Sequence, residues 1–101
     1  MKQNIRSNEK IQMVSFCLGN EEFAINIMQV KEINRYVETM KIPKAADFIE
    51  GVIKLRNQVI PIISLRHRFK YQKREVNDDS RIIIVEIKDQ TAGFVVDSVK
   101  E

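Results

Sequence analysis

An all-β fold, a barrel or sandwich carrying short helical turns, is predicted by three features of this 101-residue sequence. Short strand-like runs recur at regular spacing, separated by turn signals. Gln12 to Leu18 alternates apolar and polar side chains, which puts one face of a strand in a core. From Gly51 to Leu65, two β-branched runs flank a polar Arg56-Asn57-Gln58 bend, the pattern of a hairpin.

Taken in order, residues 1–11 are polar without periodicity and read as a flexible arm. The strand Gln12 to Leu18 meets a turn at Gly19-Asn20-Glu21-Glu22, and Phe23 to Asn26 completes a first hairpin. The stretch Ile27 to Ile33 fits either one helix face or a twisted strand, and is read as a short turn at Ile27 to Gln29 followed by a strand to Tyr36. Pro43 breaks the chain, and Lys44 to Phe48 reads as one helical turn. Pro61 lies within the second run of the 50–64 hairpin, which predicts an edge or a bulge there. Leu65 to Phe69 reads as a short helix with its basic residues outward. Asn77 to Ser80 is a turn, and strands Arg81 to Ile87 and Thr91 to Val96 close the chain across Lys88-Asp89-Gln90.

Composition narrows the function classes. The chain is 44% hydrophobic and 31% charged, which fits one small globular domain rather than a disordered segment. Its apolar stretches are too short to span a membrane and no secretory leader opens it, so a cytoplasmic protein is expected. The single cysteine, Cys17, alternates with Val14, Phe16 and Leu18 as a small strand residue and cannot build a disulfide or metal site alone. His67 stands between Arg66 and Arg68 with no carboxylate at helical spacing to orient it. Asp78 and Asp79 fall short of the roughly six oxygens that calcium takes. No phosphate loop, nucleophile elbow or metal-ligand spacing is present, so no catalysis, metal or cofactor is expected.

The net charge of +3 conceals a local cluster of Arg66, Arg68, Lys70, Lys73 and Arg74 with no acid between them. Read as a solvated helix end and loop, it implies no particular partner. Read as a binding stripe, it makes the chain a small basic β-barrel that binds RNA or DNA. Few aromatics are interleaved for base stacking, which favours the first reading.

The order Phe16-x-Leu18-Gly19-x-Glu21-Glu22-Phe23-Ala24-Ile25, then Val30-x-Glu32-Ile33 and Ile42-Pro43, resembles the CheW-like domain of bacterial chemotaxis coupling proteins. Phe48-Ile49-x-Gly51-Val52-Ile53-x-Leu55-Arg56, Val59-Ile60-Pro61-Ile62-Ile63-x-Leu65-Arg66 and Gly93-Phe94-Val95-Val96-Asp97-Ser98-Val99 continue the likeness. It implies two packed SH3-like β-barrels: the first largely complete over about 12–65, the second partial over about 66–101. It also implies an adaptor without enzymatic activity. Its partners would be the regulatory domain of a CheA-type histidine kinase and the cytoplasmic tip of a methyl-accepting chemoreceptor, with no membrane insertion and no nucleic acid.

Two departures from the family pattern stand out. Asn57 replaces the usual glycine after Leu55-Arg56, and asparagine is the least costly alternative at a left-handed turn position. The chain also stops at Glu101, inside the second barrel. Ile82, Ile84, Val85, Phe94 and Val96 are therefore expected to lack part of their cover, and a homodimer by strand exchange follows as an expectation.

By the resemblance, Val30, Glu32, Gly51 and Arg56 contact the receptor. Glu32 and Arg56 end strands expected to be neighbours, and a bidentate pair between them suits either a receptor groove or an ordinary structural bridge. Val30 has plain core as its alternative, and Gly51 a backbone conformation closed to other residues. The kinase contact is expected on strands 81–87 and 91–97, with no individual residues assigned.

Overall fold

The computed structural model describes residues 11–100, so the expected N-terminal arm lies, but for Ile11, outside the described residues. Eight strands form two sheets. They are β1 (Met13–Leu18), β2 (Glu21–Asn26), β3 (Val30–Arg35), β4 (Ile49–Leu55), β5 (Gln58–Ser64), β6 (Arg81–Ile87), β7 (Gln90–Val96) and β8 (Ser98–Lys100). One sheet has the order β2-β1-β8 and the other β3-β6-β7-β5-β4. The pairing crosses residue 65, where the two barrels were expected to divide. β6 and β7 fill the middle of a sheet whose edges come from residues 30–55, and β8 joins β1.

Turn chemistry sets the hairpins. Arg56 and Asn57 both take positive φ, as do Lys88 and Asp89, so each pair makes a two-residue turn whose twist suits its strands. The second hairpin therefore resumes at Gln90, one residue before the predicted strand start. β2 likewise begins at Glu21, because Leu18 pairs with Glu21 and leaves only Gly19 and Asn20 in the turn. The 3-10 turn Ile27–Gln29 lies where a turn was predicted, capped by the Asn26 side chain, which accepts from Met28 N–H.

Three local expectations are corrected. No helix forms over 44–48. Lys44 has φ 66, a left-handed value that stops a helical turn, and the segment instead makes two separate turns, at 43–44 and 47–48. Pro61 is not on an edge, since β5 lies between β7 and β4. Its partner Val52 spends both its N–H and its C=O on Met40, at 2.8 and 2.9 Å, so Pro61 occupies a non-hydrogen-bonded position of the β4–β5 ladder. The parallel ladder to β7 starts only at Ile62, opposite Gly93, so the missing Pro61 N–H breaks no pairing. In α1 (Leu65–Arg68), Arg66 turns inward onto Asp97 instead of outward.

β6 carries the core on both faces. Ile83 and Val85 pack with Phe16, Leu18, Leu65 and Val96 between the sheets. Ile82 and Ile84 pack with Ile60 and Ile62 inside the curl of the five-stranded sheet. A central strand buried on both sides reads as a continuous apolar run, which explains Ile82 to Val85. Gly93 makes this possible: a Cβ there would stand 2.6 Å from Ile62 Cδ1 and 2.9 Å from Ile82 Cγ2.

Ile82, Ile84, Val85 and Val96, predicted to lack cover, are at most 2% exposed. β3 and β7 flank β6, which removes this ground for strand exchange. Phe94, the fifth residue of that expectation, is only partly buried and lines the open apolar surface, a cleft of about 410 Å³ shared with Phe16, Phe23 and Phe69 among others. No helix among the described residues is long and apolar enough to cross a membrane.

Candidate functional site

β3 and β4 are the two edges of the five-stranded sheet, yet the sheet curls until their side chains meet. Each edge carries a register shift, between Val30 and Glu32 on β3 and between Ile49 and Gly51 on β4. An extra residue on an edge strand bends it and redirects its side chains. On β3 the shift is decisive. Val30 pairs with Val85 and faces the inter-sheet core, whereas Glu32 pairs with Ile84 and faces the inside of the curl. In an unbroken strand these two residues would share a face.

Arg56, in the β4–β5 turn, closes the gap. Its Nη1 donates to Glu32 Oε2, and its Nη2 lies 3.4 Å from Oε1, a bidentate pair. The Arg56 side chain remains 73% exposed, against 24% for Glu32. The guanidinium holds the Glu32 carboxyl below its ordinary value of 4.5. A guanidinium carries five N–H donors, so those not aimed at Glu32 face solvent and can meet acceptors on another molecule. Nearby, Tyr36 O–H donates to Glu50 Oε1 at 3.0 Å, and Thr39 O–H donates to Glu50 C=O at 3.3 Å.

Glu32 and Arg56 are thus brought together, though from opposite edges of the sheet rather than from neighbouring strands, and the other two candidates do not join them. Val30 is half-buried on the opposite face of β3, in the inter-sheet cluster. Gly51 has φ 155, and a Cβ there would run into the Met40 C=O and stand 2.8 Å from Thr39 Oγ1. Its lack of a side chain lets segment 39–40 lie directly against β4.

Two features escaped sequence reasoning. Asp97, at the kink between β7 and β8, accepts from Arg66 Nε and Nη2 at 2.9 and 2.7 Å, from Arg74 Nη1 at 2.9 Å and from Gly19 N–H at 2.7 Å. Arg66 above all, then the Gly19 N–H, holds its carboxyl below the usual aspartate range. Two of the five clustered cations are thereby spent inside the molecule, and Arg68 lies over the Phe48 ring at 5.4 Å. The second feature is apolar. Met28 is 86% exposed, beside Ile27 and Met13, where Ile27 N–H bonds to Gln12 C=O at one end of the β1–β2 hairpin. An ambiguous helix-or-strand pattern at 27–33 hid it. Strands β6 and β7, where a kinase contact was expected, are both interior, and their exposed residues gather at one end, at Glu86 and Ile87 of β6 and Gln90 of β7.

Among the described residues, no three His, Cys, Asp or Glu side chains gather as a metal would require. An open all-β module whose candidate site is an exposed ion pair is suited to contact with another macromolecule.

The family model described as the CheW-like domain matches residues 12–101, and the chain belongs to that family. It is 36% identical over 95 residues to "Chemotaxis protein CheW" of Helicobacter pylori, covering 94% of this chain and 58% of that one. It is also 36% identical over 101 residues to the protein of the same description in Bacillus subtilis, covering all of this chain and 64% of that one. The crystal structure of scaffolding protein TtCheW from Thermoanaerobacter tengcongensis superposes with a TM-score of 0.86 at 46% identity, over 90% of this chain and 62% of that one. The chain therefore spans about three fifths of the length of these relatives.

Proposed function

We propose that the chain is a chemotaxis adaptor that couples a chemoreceptor's cytoplasmic signalling tip to a CheA-type histidine kinase through protein contacts, without catalysis. The observation that carries this reading is membership of a family whose relatives are described as chemotaxis and scaffolding proteins, joined to an exposed, pre-oriented Arg56. Glu32 fixes the guanidinium before any partner arrives, which lowers the ordering cost of binding. The receptor tip is the partner of this pair. Gly51 supports the site through segment 39–40, and Val30 supports it from the core beneath. The exposed end formed by Met13, Ile27 and Met28 is the surface for the kinase regulatory domain, at the cytoplasmic face of a receptor array.

Calorimetric titration with a receptor signalling-tip hairpin tests the proposal. Binding that Arg56→Ala weakens supports it, and a folded chain that does not bind refutes it for this length of chain. Met28→Lys is expected to weaken kinase binding and leave receptor binding intact. The nucleic-acid alternative predicts binding that falls steeply with salt. The engagement of Arg66 and Arg74 by Asp97 works against it.

A further inference from the structure

Two side-chain contacts cross the open seam of the five-stranded sheet, Arg56 to Glu32 and Tyr36 to Glu50, beside the Met40–Val52 backbone bridge that ties the segment after β3 to β4. No backbone ladder joins β3 to β4. What fixes their separation is therefore what fixes the geometry of the Arg56–Glu32 pair. Arg56 is solvated, so on its own it is a loose tie. Tyr36 differs. Its ring packs against the core inside the curl, beside Ile53 and Leu55. Glu50 sits at the register shift of β4, where it is released from the ladder to β5, and its own C=O is held by Thr39. Burial above all, with the Glu50 contact next, pushes the Tyr36 hydroxyl up to about 12, so it remains a proton donor.

We propose that Tyr36, acting through Glu50, is a positioning residue that sets the β3–β4 gap at which Arg56 and Glu32 pair and the receptor tip is received. The receptor part rests on the function proposed above, whereas the effect on the Glu32–Arg56 pair does not.

Tyr36→Phe keeps the ring and removes only the donor. The first measurement is an NMR titration of the Glu32 carboxyl, whose neighbours are Arg56, Asn34 and Lys31. The depressed midpoint is expected to rise toward 4.5 in Tyr36→Phe and in Glu50→Ala. Glu50→Gln, which retains an oxygen acceptor, is expected to preserve it. The second measurement is receptor-tip affinity, expected to fall about fivefold, the worth of a net hydrogen bond. On an Arg56→Ala background the same change is expected to cost nothing further, because it acts through that pair. An unchanged Glu32 midpoint in both variants overturns the proposal, as do affinity losses that simply add. If the parent chain does not bind the tip, the functional reading fails while the Glu32 titration still decides the positioning role.

Discussion

Arg66 and Arg56 each grip a carboxylate with two guanidinium nitrogens, yet they stand at opposite extremes of exposure. The side chains of Arg66 and Asp97 are 15% and 17% exposed, whereas Arg56 is 73% exposed. Asp97 also takes an N–H from the β1–β2 turn and a second guanidinium from the 71–80 segment, so one side chain ties together four parts of the chain. Glu32 has one such partner, shared across a seam. The lesson is one of division: where water is excluded, an ion pair is architecture, and where water has access it is a contact held ready. Coulombic attraction is weakly screened in the first setting and strongly in the second.

The largest expected effect falls on the half-buried hub at Asp97. Asp97→Ala strands the shielded Arg66 and removes an acceptor from Arg74 and the Gly19 N–H, and is expected to cost roughly 3 kcal/mol, on the order of 15 °C in Tm. Thermal melts that move no more than those of Arg56→Ala would erase the contrast between the two sites. Next comes Gly51→Ala, expected to cost about 2 kcal/mol through its unfavourable φ and the collision with Met40. Receptor affinity is expected to fall in parallel with denaturant stability in this variant. Arg56→Ala is expected to reverse that pattern, with Tm little changed and receptor binding weakened. A large loss of folding would return the pair to architecture.

The two regions also separate by pH. Asp97 titrates below its ordinary 3.8 when folded, so its contribution is complete above that value and is lost as pH falls through the depressed one. Tyr36 titrates above its ordinary 10, so its contribution is complete below pH 10 and is lost as pH rises toward about 12. Urea denaturation across both ranges is expected to show the acid-side loss vanish in Asp97→Asn and the smaller alkaline-side loss vanish in Tyr36→Phe.

Much of this was legible in the sequence, and for definite reasons. Strand positions followed from β-branched runs and turn residues, which act locally. Glu32 and Arg56 were expected to meet from the ends of neighbouring strands; they meet instead across the curl, from opposite edges of the sheet and with Glu32 inside β3. What escaped depends on register. Nothing at Lys31 announces that the β3 ladder shifts there and turns Val30 and Glu32 to opposite faces. Asp97 escaped notice because its partners Arg66, Arg74 and Gly19 are distant in sequence. Pro61 suggested an edge because its partner's hydrogen bonds to Met40 cannot be inferred from composition. The interleaving of β6 and β7 between β3 and β5 is a choice of topology that local patterns do not encode.

β1 is flanked by partners of very different kinds. β2 follows it across a two-residue turn, whereas β8 supplies Val99 opposite Phe16 and Ser98 opposite Cys17. The first pairing closes a tiny loop and the second almost the whole described chain, so the entropy to be overcome before contact differs widely. The β1–β2 hairpin can therefore form early but gains lasting partners late, after β6 and β7 have brought Val99 into place. Refolding dominated by such distant pairings is expected on the order of milliseconds to seconds, slow for so short a polypeptide.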